Sequence, residues 1–227
     1  RPLSAFSQLY GNLRLYRMGS LGHLPEVLHG DRFEAIGVTQ HQAWSQAMAL
    51  LPAIAGMLGV RADALAGRLR LHPHLPAGSN RVAVSNLRMG EHRFKVTLVR
   101  EDESTRFEIE RTAGSEPVQL ELSLPFPRTV LVNLDRDATQ GVVLVDPETI
   151  VDRATEKEAR VVVTPTDTAA VVVFRHSPYP QIAPPVNTPE PGAHSQGLRL
   201  IHSEYRNRQL TVRLEGLPGR SYRLTVA

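Results

Sequence analysis

The chain has 227 residues, 41% of them hydrophobic and 22% charged, long enough to bury a core unaided and too apolar to stay disordered. It has no Cys, which excludes disulfide frameworks, thiolate metal sites and Cys nucleophiles. Lys and Arg exceed Asp and Glu by 26 − 23 = +3, too small an excess for a protein whose main partner is nucleic acid. No apolar run of about 18 residues and no basic-then-apolar leader occurs, so no membrane partner and a cytoplasmic setting are expected. The chain opens on Arg1 and enters a helical pattern at once, which sets the expectation of a piece of a longer protein.

Phe6, Leu9, Leu13 and Tyr16 recur at helical spacing, with Gly19 as a stop. Residues 19–37 then carry Gly19, Gly22, Gly30 and Gly37 and read as a long irregular connection, of the kind that often holds function. Thr39 and Gln42 have capping-box spacing before a second helix, with Ala43, Ala47, Leu50, Leu51, Ile54 and Leu58 on its apolar side. Pro52 should kink that helix and Gly59 should end it. Its faces are apolar nearly all round, so it should be buried in a larger helical assembly.

From Arg68 the period changes to two. Strands are expected at 68–71, 81–87, 93–100, 105–111, 118–124, 130–134, 141–145, 160–163, 169–174, 198–202, 209–214 and 221–226, with a hairpin turn over Asn86–Glu91. Many short strands separated by turns point to a sandwich. Residues 178–191 hold six prolines and should be a surface loop.

The chemistry-bearing stretch is His23 to Asp31 followed by Thr39 to Ser45. Glu26 lies in the Gly-rich loop, eighteen residues before the only Trp. A loop carboxylate of this kind can act as general acid or base, and a nearby aromatic can stack on a sugar ring. The plainer reading pairs Glu26 with Arg17 or Arg32, places Trp44 in a core, and gives Gln42 to the helix cap. Asp31 could assist Glu26 or pair with Arg32. His23, His29 and His41 match no zinc spacing, so no metal is expected.

Four segments occur in order: Leu24-Pro25-Glu26; Gln40-x-x-x-Trp44 with its Ala/Leu-rich helix; Leu69-Arg70-Leu71-His72-Pro73-His74-Leu75-Pro76; and Asn86-Leu87-Arg88-Met89-Gly90. Together they resemble the end of an (α/α)6-barrel glycoside hydrolase of the glycogen debranching (amylo-alpha-1,6-glucosidase) type, over about residues 1–100. The resemblance implies a multi-domain α+β chain. Residues 1–67 would be the terminal helical hairpin of a six-hairpin toroid, carrying the catalytic-base loop. Residues 68–227 would be a β-sandwich with a Pro-rich loop at 176–197.

The resemblance also implies that Glu26 is the general base of an inverting hydrolase acting on an α-glucan or oligosaccharide. Its partner acid would stand about 6.5–9.5 Å away across the attacking water. His23, Gln40, His41 and Trp44 would bind substrate, and no cofactor is needed. The general acid belongs to the missing N-terminal part of the barrel, so the chain alone should not hydrolyse. The alternative is a non-catalytic β-sandwich carbohydrate-binding or scaffolding module, with Glu26 exposed or salt-bridged and no pocket around it.

Overall fold

The computed structural model describes residues 2–18, 23–36, 42–153, 156–185, 189–194 and 197–227. Helix α1 (Pro2–Arg14) tightens into a 3-10 turn at Leu15–Arg17, and α2 (Ala43–Leu51) runs into a π-helical turn at Pro52–Met57. Then come β1 (Arg61–Asp63), β2 (Arg68–Leu71), β3 (Arg81–Met89), β4 (His92–Arg100), β5 (Ser104–Ala113), β6 (Gln119–Pro127) and β7 (Val132–Leu134). The remaining strands are β8 (Val142–Asp152), β9 (Glu156–Pro165), β10 (Ala169–His176), β11 (Ile182–Ala183), β12 (Arg199–Arg206), β13 (Gln209–Glu215) and β14 (Thr225–Val226).

Two five-stranded sheets form the body. One has the order β1-β2-β6-β9-β8 and the other β3-β4-β5-β10-β7. All named pairings within them are antiparallel except β2 with β6, which run parallel with Leu69 beside Leu120. Alternate residues of each strand point between the sheets. Leu69, Leu71, Leu120, Leu122, Val161 and Val163 from the first sheet meet Phe94, Val96, Phe107, Ile109, Val172 and Phe174 from the second in one core. Phe107 and Phe174 pack edge to face, 6.3 Å between centroids, the arrangement that aromatic quadrupoles favour.

The outward residues differ between the sheets. On the second sheet they form a solvated ladder, with Arg81–Glu108 at 3.5 Å and Lys95–Glu110 at 3.3 Å, pairs that contribute little each. On the first sheet Ser123 and Glu158 are buried although they point away from the core. His72 bonds to Ser123, and His72, Arg70 and Arg153 surround Glu158. The His74 N–H donates to the Met57 carbonyl (2.8 Å), and Gly59 lies against the backbone of His72.

The expectation of an α+β chain opening on the last helices of an (α/α)6 toroid is overturned. Strand accounts for 48% and helix for 14%, with two α-helices among the described residues. The physical cause lies around Pro52. Its missing N–H interrupts the α-helical ladder after nine residues, and the chain continues with bonds to the fifth residue back, as in Leu58 N–H to Ala53 O at 3.1 Å. Gly59, at φ +61°, then turns the chain into β1. Neither helix pairs into a long hairpin. They share a small cluster, Leu15, Leu24 and Ala49 with Leu9, Tyr16, Met18 and Phe33, and α1 leans on β12 and on the π-helical turn.

Three local expectations also change. The N-cap of α2 is Gln42, extended and without a side-chain capping bond, while Thr39 lies outside the described residues. The β3–β4 turn is at Gly90-Glu91, because a bulge at Ser85-Asn86 lets β3 run on to Met89. The Pro-rich stretch holds a strand after all: β11 pairs with β14, Ile182 opposite Val226.

A Cβ at Gly59 would stand 2.2 Å from the His72 carbonyl oxygen, on a left-handed backbone. Gly59→Ala should therefore lower unfolding free energy by about 2–4 kcal/mol. Gly78, at φ +84° in open space, is the control; Gly78→Ala should cost only about 1 kcal/mol. Urea melts of the two variants check the difference.

Candidate functional site

The loop after α1 is anchored at both ends. Leu24 is buried in the small N-terminal cluster, and its carbonyl accepts from the Gln42 N–H at 3.3 Å. Residues 27–36 then fold into a small hairpin, with His29 N–H to Glu34 O at 2.9 Å and Ile36 N–H to Val27 O at 3.2 Å. Phe33 clips that hairpin to the far end of the chain: its N–H donates to Ala193 O, and its carbonyl accepts from Gly192, both at 2.8 Å.

Glu26 sits between these two anchors. It is exposed, and it makes no ion pair among the described residues. Neither of the two cavities described below includes it. Arg32, offered as a partner by sequence, does not bind it; Arg32 instead bridges to His194 along the backbone. Trp44 projects from the first turn of α2 and is 73% exposed, so it is not a core residue here. The Leu24–Gln42 bond makes Glu26 and Trp44 leave the same junction, two residues beyond each partner. Trp44, Met48 and Leu51 lie at i, i+4 and i+7 and form an exposed apolar stripe on α2. His23 is half-buried, and Gln46 Nε2 donates to its Nδ1 at 2.9 Å, so it steadies the loop against α2. Gln40 and His41 lie outside the described residues.

One cavity, of about 400 Å³, opens between α1, the first sheet and the β12–β13 hairpin. Its walls are apolar, from Leu75, Phe126, Ile182 and Leu200, with His74, Glu156, Gln181 and Glu204 as polar members. Tyr179 is its aromatic hub, with centroids 6.4 Å from Phe126, 6.0 Å from His176 and 6.3 Å from Tyr205. Arg100 closes the floor, donating to the carbonyls of Pro76 (3.3 Å) and Leu75 (3.4 Å). Burial pulls the Arg100 guanidinium below its ordinary value and pushes the Tyr179 phenol up.

Beside it runs a buried polar stripe. His72 Nδ1 bonds to Ser123 Oγ and lies 3.5 Å from Glu158. This Ser-His-Glu group is not a catalytic triad. Both partners approach the same ring nitrogen, whereas a relay needs one at each, and Ser123 is 0% exposed. Glu158 also takes Arg153 at 2.9 Å and Arg70 at 3.5 Å.

A second cavity, of about 590 Å³, lies where the 27–36 hairpin meets α1 and the end of the chain. Arg14, Arg32 and Arg223 line it, with Asp31 as the one carboxylate among the described residues. Asp31 is flanked by His29 at 2.8 Å and His194 at 3.4 Å. Sequence reasoning missed this cluster because its members span residues 7–223 and share no motif. Among the described residues no group of His, Asp and Glu is arranged to hold a metal ion, and no helix is long and apolar enough to cross a membrane.

No known protein family matches the chain, and no curated protein does. Among solved structures it is similar to the alpha-L-rhamnosidase from Dictyoglumus thermophilum, at 11% identity and a TM-score of 0.33. The match covers 63% of this chain and 15% of that one. The chain thus spans a small part of that structure's length, and the TM-score is too low to establish a shared fold.

Three histidines are held neutral by burial. His72 is lowered to about 4, by desolvation first and then by His74, against the opposing pull of Glu158. His74 and His176 are lowered in the same way, burial leading in both. Between pH 6.5 and about 4 the unfolded chain therefore binds protons that the folded chain refuses. Stability should be full above pH 6.5 and fall as the pH drops towards 4, His72 alone contributing on the order of 2 kcal/mol. Urea midpoints at pH 7.5 and 4.5 measure the loss, and His72→Gln should shrink it.

Proposed function

We propose that the chain is part of a larger glycoside hydrolase acting on α-glucans, to which it brings the general base Glu26 but not the acid. The observation that carries this reading is the unpaired Glu26 carboxylate. It stands on a loop anchored at both ends, at the same junction as the exposed Trp44 and its apolar stripe. A structural carboxylate would be expected to cap a helix or hold an Arg, and this one does neither among the described residues. The order of the Leu24-Pro25-Glu26, Gln40–Trp44, Leu69–Pro76 and Asn86–Gly90 segments adds the sugar chemistry. In this reading the rest of the protein covers the stripe and encloses Glu26. Trp44 offers a stacking face, and Gln40 and His41 offer hydroxyl contacts. The base takes a proton from a water that attacks the anomeric carbon, while an acid from elsewhere protonates the leaving oxygen.

A second reading has its own support. Neither cavity formed by the described residues includes Glu26, whereas the 400 Å³ cleft combines Tyr179 and Tyr205 with His74, Gln181 and Glu204. Aromatic faces ringed by hydrogen-bonding groups suit a glycan held without cleavage. This makes the chain a carbohydrate-binding module.

Glu26→Gln in the full-length protein separates the two. Under the first reading kcat on an α-1,6-branched glucan falls by about a thousandfold or more with KM little changed. Under the second, hydrolysis is unaffected by Glu26→Gln, and Tyr205→Ala abolishes oligosaccharide binding measured by calorimetry.

A further inference from the structure

Arg14 ends α1 with its guanidinium 4.3 Å above the ring of Tyr10, one turn back. Its Nε and one terminal nitrogen are buried and have no hydrogen-bond partner among the described residues. Arg14 as a whole is half-buried, and its unmet donors carry a desolvation cost that a partner would relieve.

The surroundings say what that is. Arg14 lines the 590 Å³ cavity together with Arg32 and Arg223, and neither of these makes an ion pair among the described residues. The one carboxylate of the lining, Asp31, is flanked by His29 and His194 and so is already engaged. Three arginines therefore line a space that no other acidic side chain among the described residues fills. Arg14 lines it while stacked on Tyr10, and a guanidinium is the side chain best matched to an oxyanion. Ser7 and Ser221 add hydroxyls at the wall. The volume is that of a small-molecule site.

We propose that this cavity binds the oxyanion of a small polar ligand, a phosphate ester or a carboxylate, with Arg14, Arg32 and Arg223 as its cations. The site is separate from the Glu26 loop junction and does not depend on the role of Glu26. The hairpin 27–36 forms one wall, so an occupied cavity would also brace the loop that carries Glu26.

The test is thermal unfolding and calorimetry of the chain at pH 7 and matched ionic strength, with glucose 6-phosphate, glucuronate and glucose as probes. Glucose 6-phosphate or glucuronate should raise the unfolding midpoint by a few degrees while glucose does not; the stronger of the two names the oxyanion. Arg14→Met should fold at least as well as the parent, because it removes those unmet donors. It should bind the responding probe at least about tenfold more weakly. Arg223→Gln, at an exposed position, should weaken binding without touching the core. The proposal is overturned if neither anion binds better than glucose, or if Arg14→Met and Arg223→Gln both bind as the parent does.

Discussion

The rest of the structure depends on the burial of a polar stripe on the outside of the first sheet. β2 and β6 run parallel inside a sheet whose inner face packs on the second sheet. Its outer face carries the buried Ser123 and Glu158, with His72 bonded to Ser123 beside them. Those groups tolerate burial because they satisfy one another and because His72 stays neutral. Met57 and Gly59 meet His74 and His72, so the chain that follows α2 is tied to the residues next to this polar network.

The two outer faces show how context sets the worth of a charge. Lys95 and Glu110 on the second sheet are both half in water, and their attraction is screened. Glu158 on the first sheet is nearly enclosed, with Arg70, Arg153 and His72 around it. Loss of one partner there leaves a charge that water cannot reach, a change of several kcal/mol in the usual case. Arg14 is half-buried, and two of its guanidinium nitrogens are enclosed without a hydrogen-bond partner among the described residues.

Much of the sandwich was legible because its strands alternate strictly. The stretches 93–100, 105–111 and 118–124 each put every second residue into the core, and alternation is a local signal. What was not legible was decided by distant partners. The parallel register of β2 on β6 leaves no mark on either strand. A strand inside the proline run exists only because Thr225 and Val226 return to meet it. The second helix reads as buried from its composition, yet Trp44, Met48, Leu50 and Leu51 are exposed; composition reports what a surface prefers, not what lies opposite it. Of the candidate site, the Gly-rich loop and the place of Glu26 in it were readable. The engagement of His23 by Gln46 and the gathering of Arg14, Arg32 and Arg223 were not, because neither involves a spacing.

The clip between Phe33 and the residues around Ala193 joins positions 193 − 33 = 160 apart in sequence. Closing so long a loop is entropically disfavoured until the intervening sandwich has folded and brought the two ends near. The 27–36 hairpin is therefore among the last elements to reach its final place. One wall of the basic cavity stays unfinished until the chain as far as Ala193 has been made, so that cavity cannot engage a ligand before then.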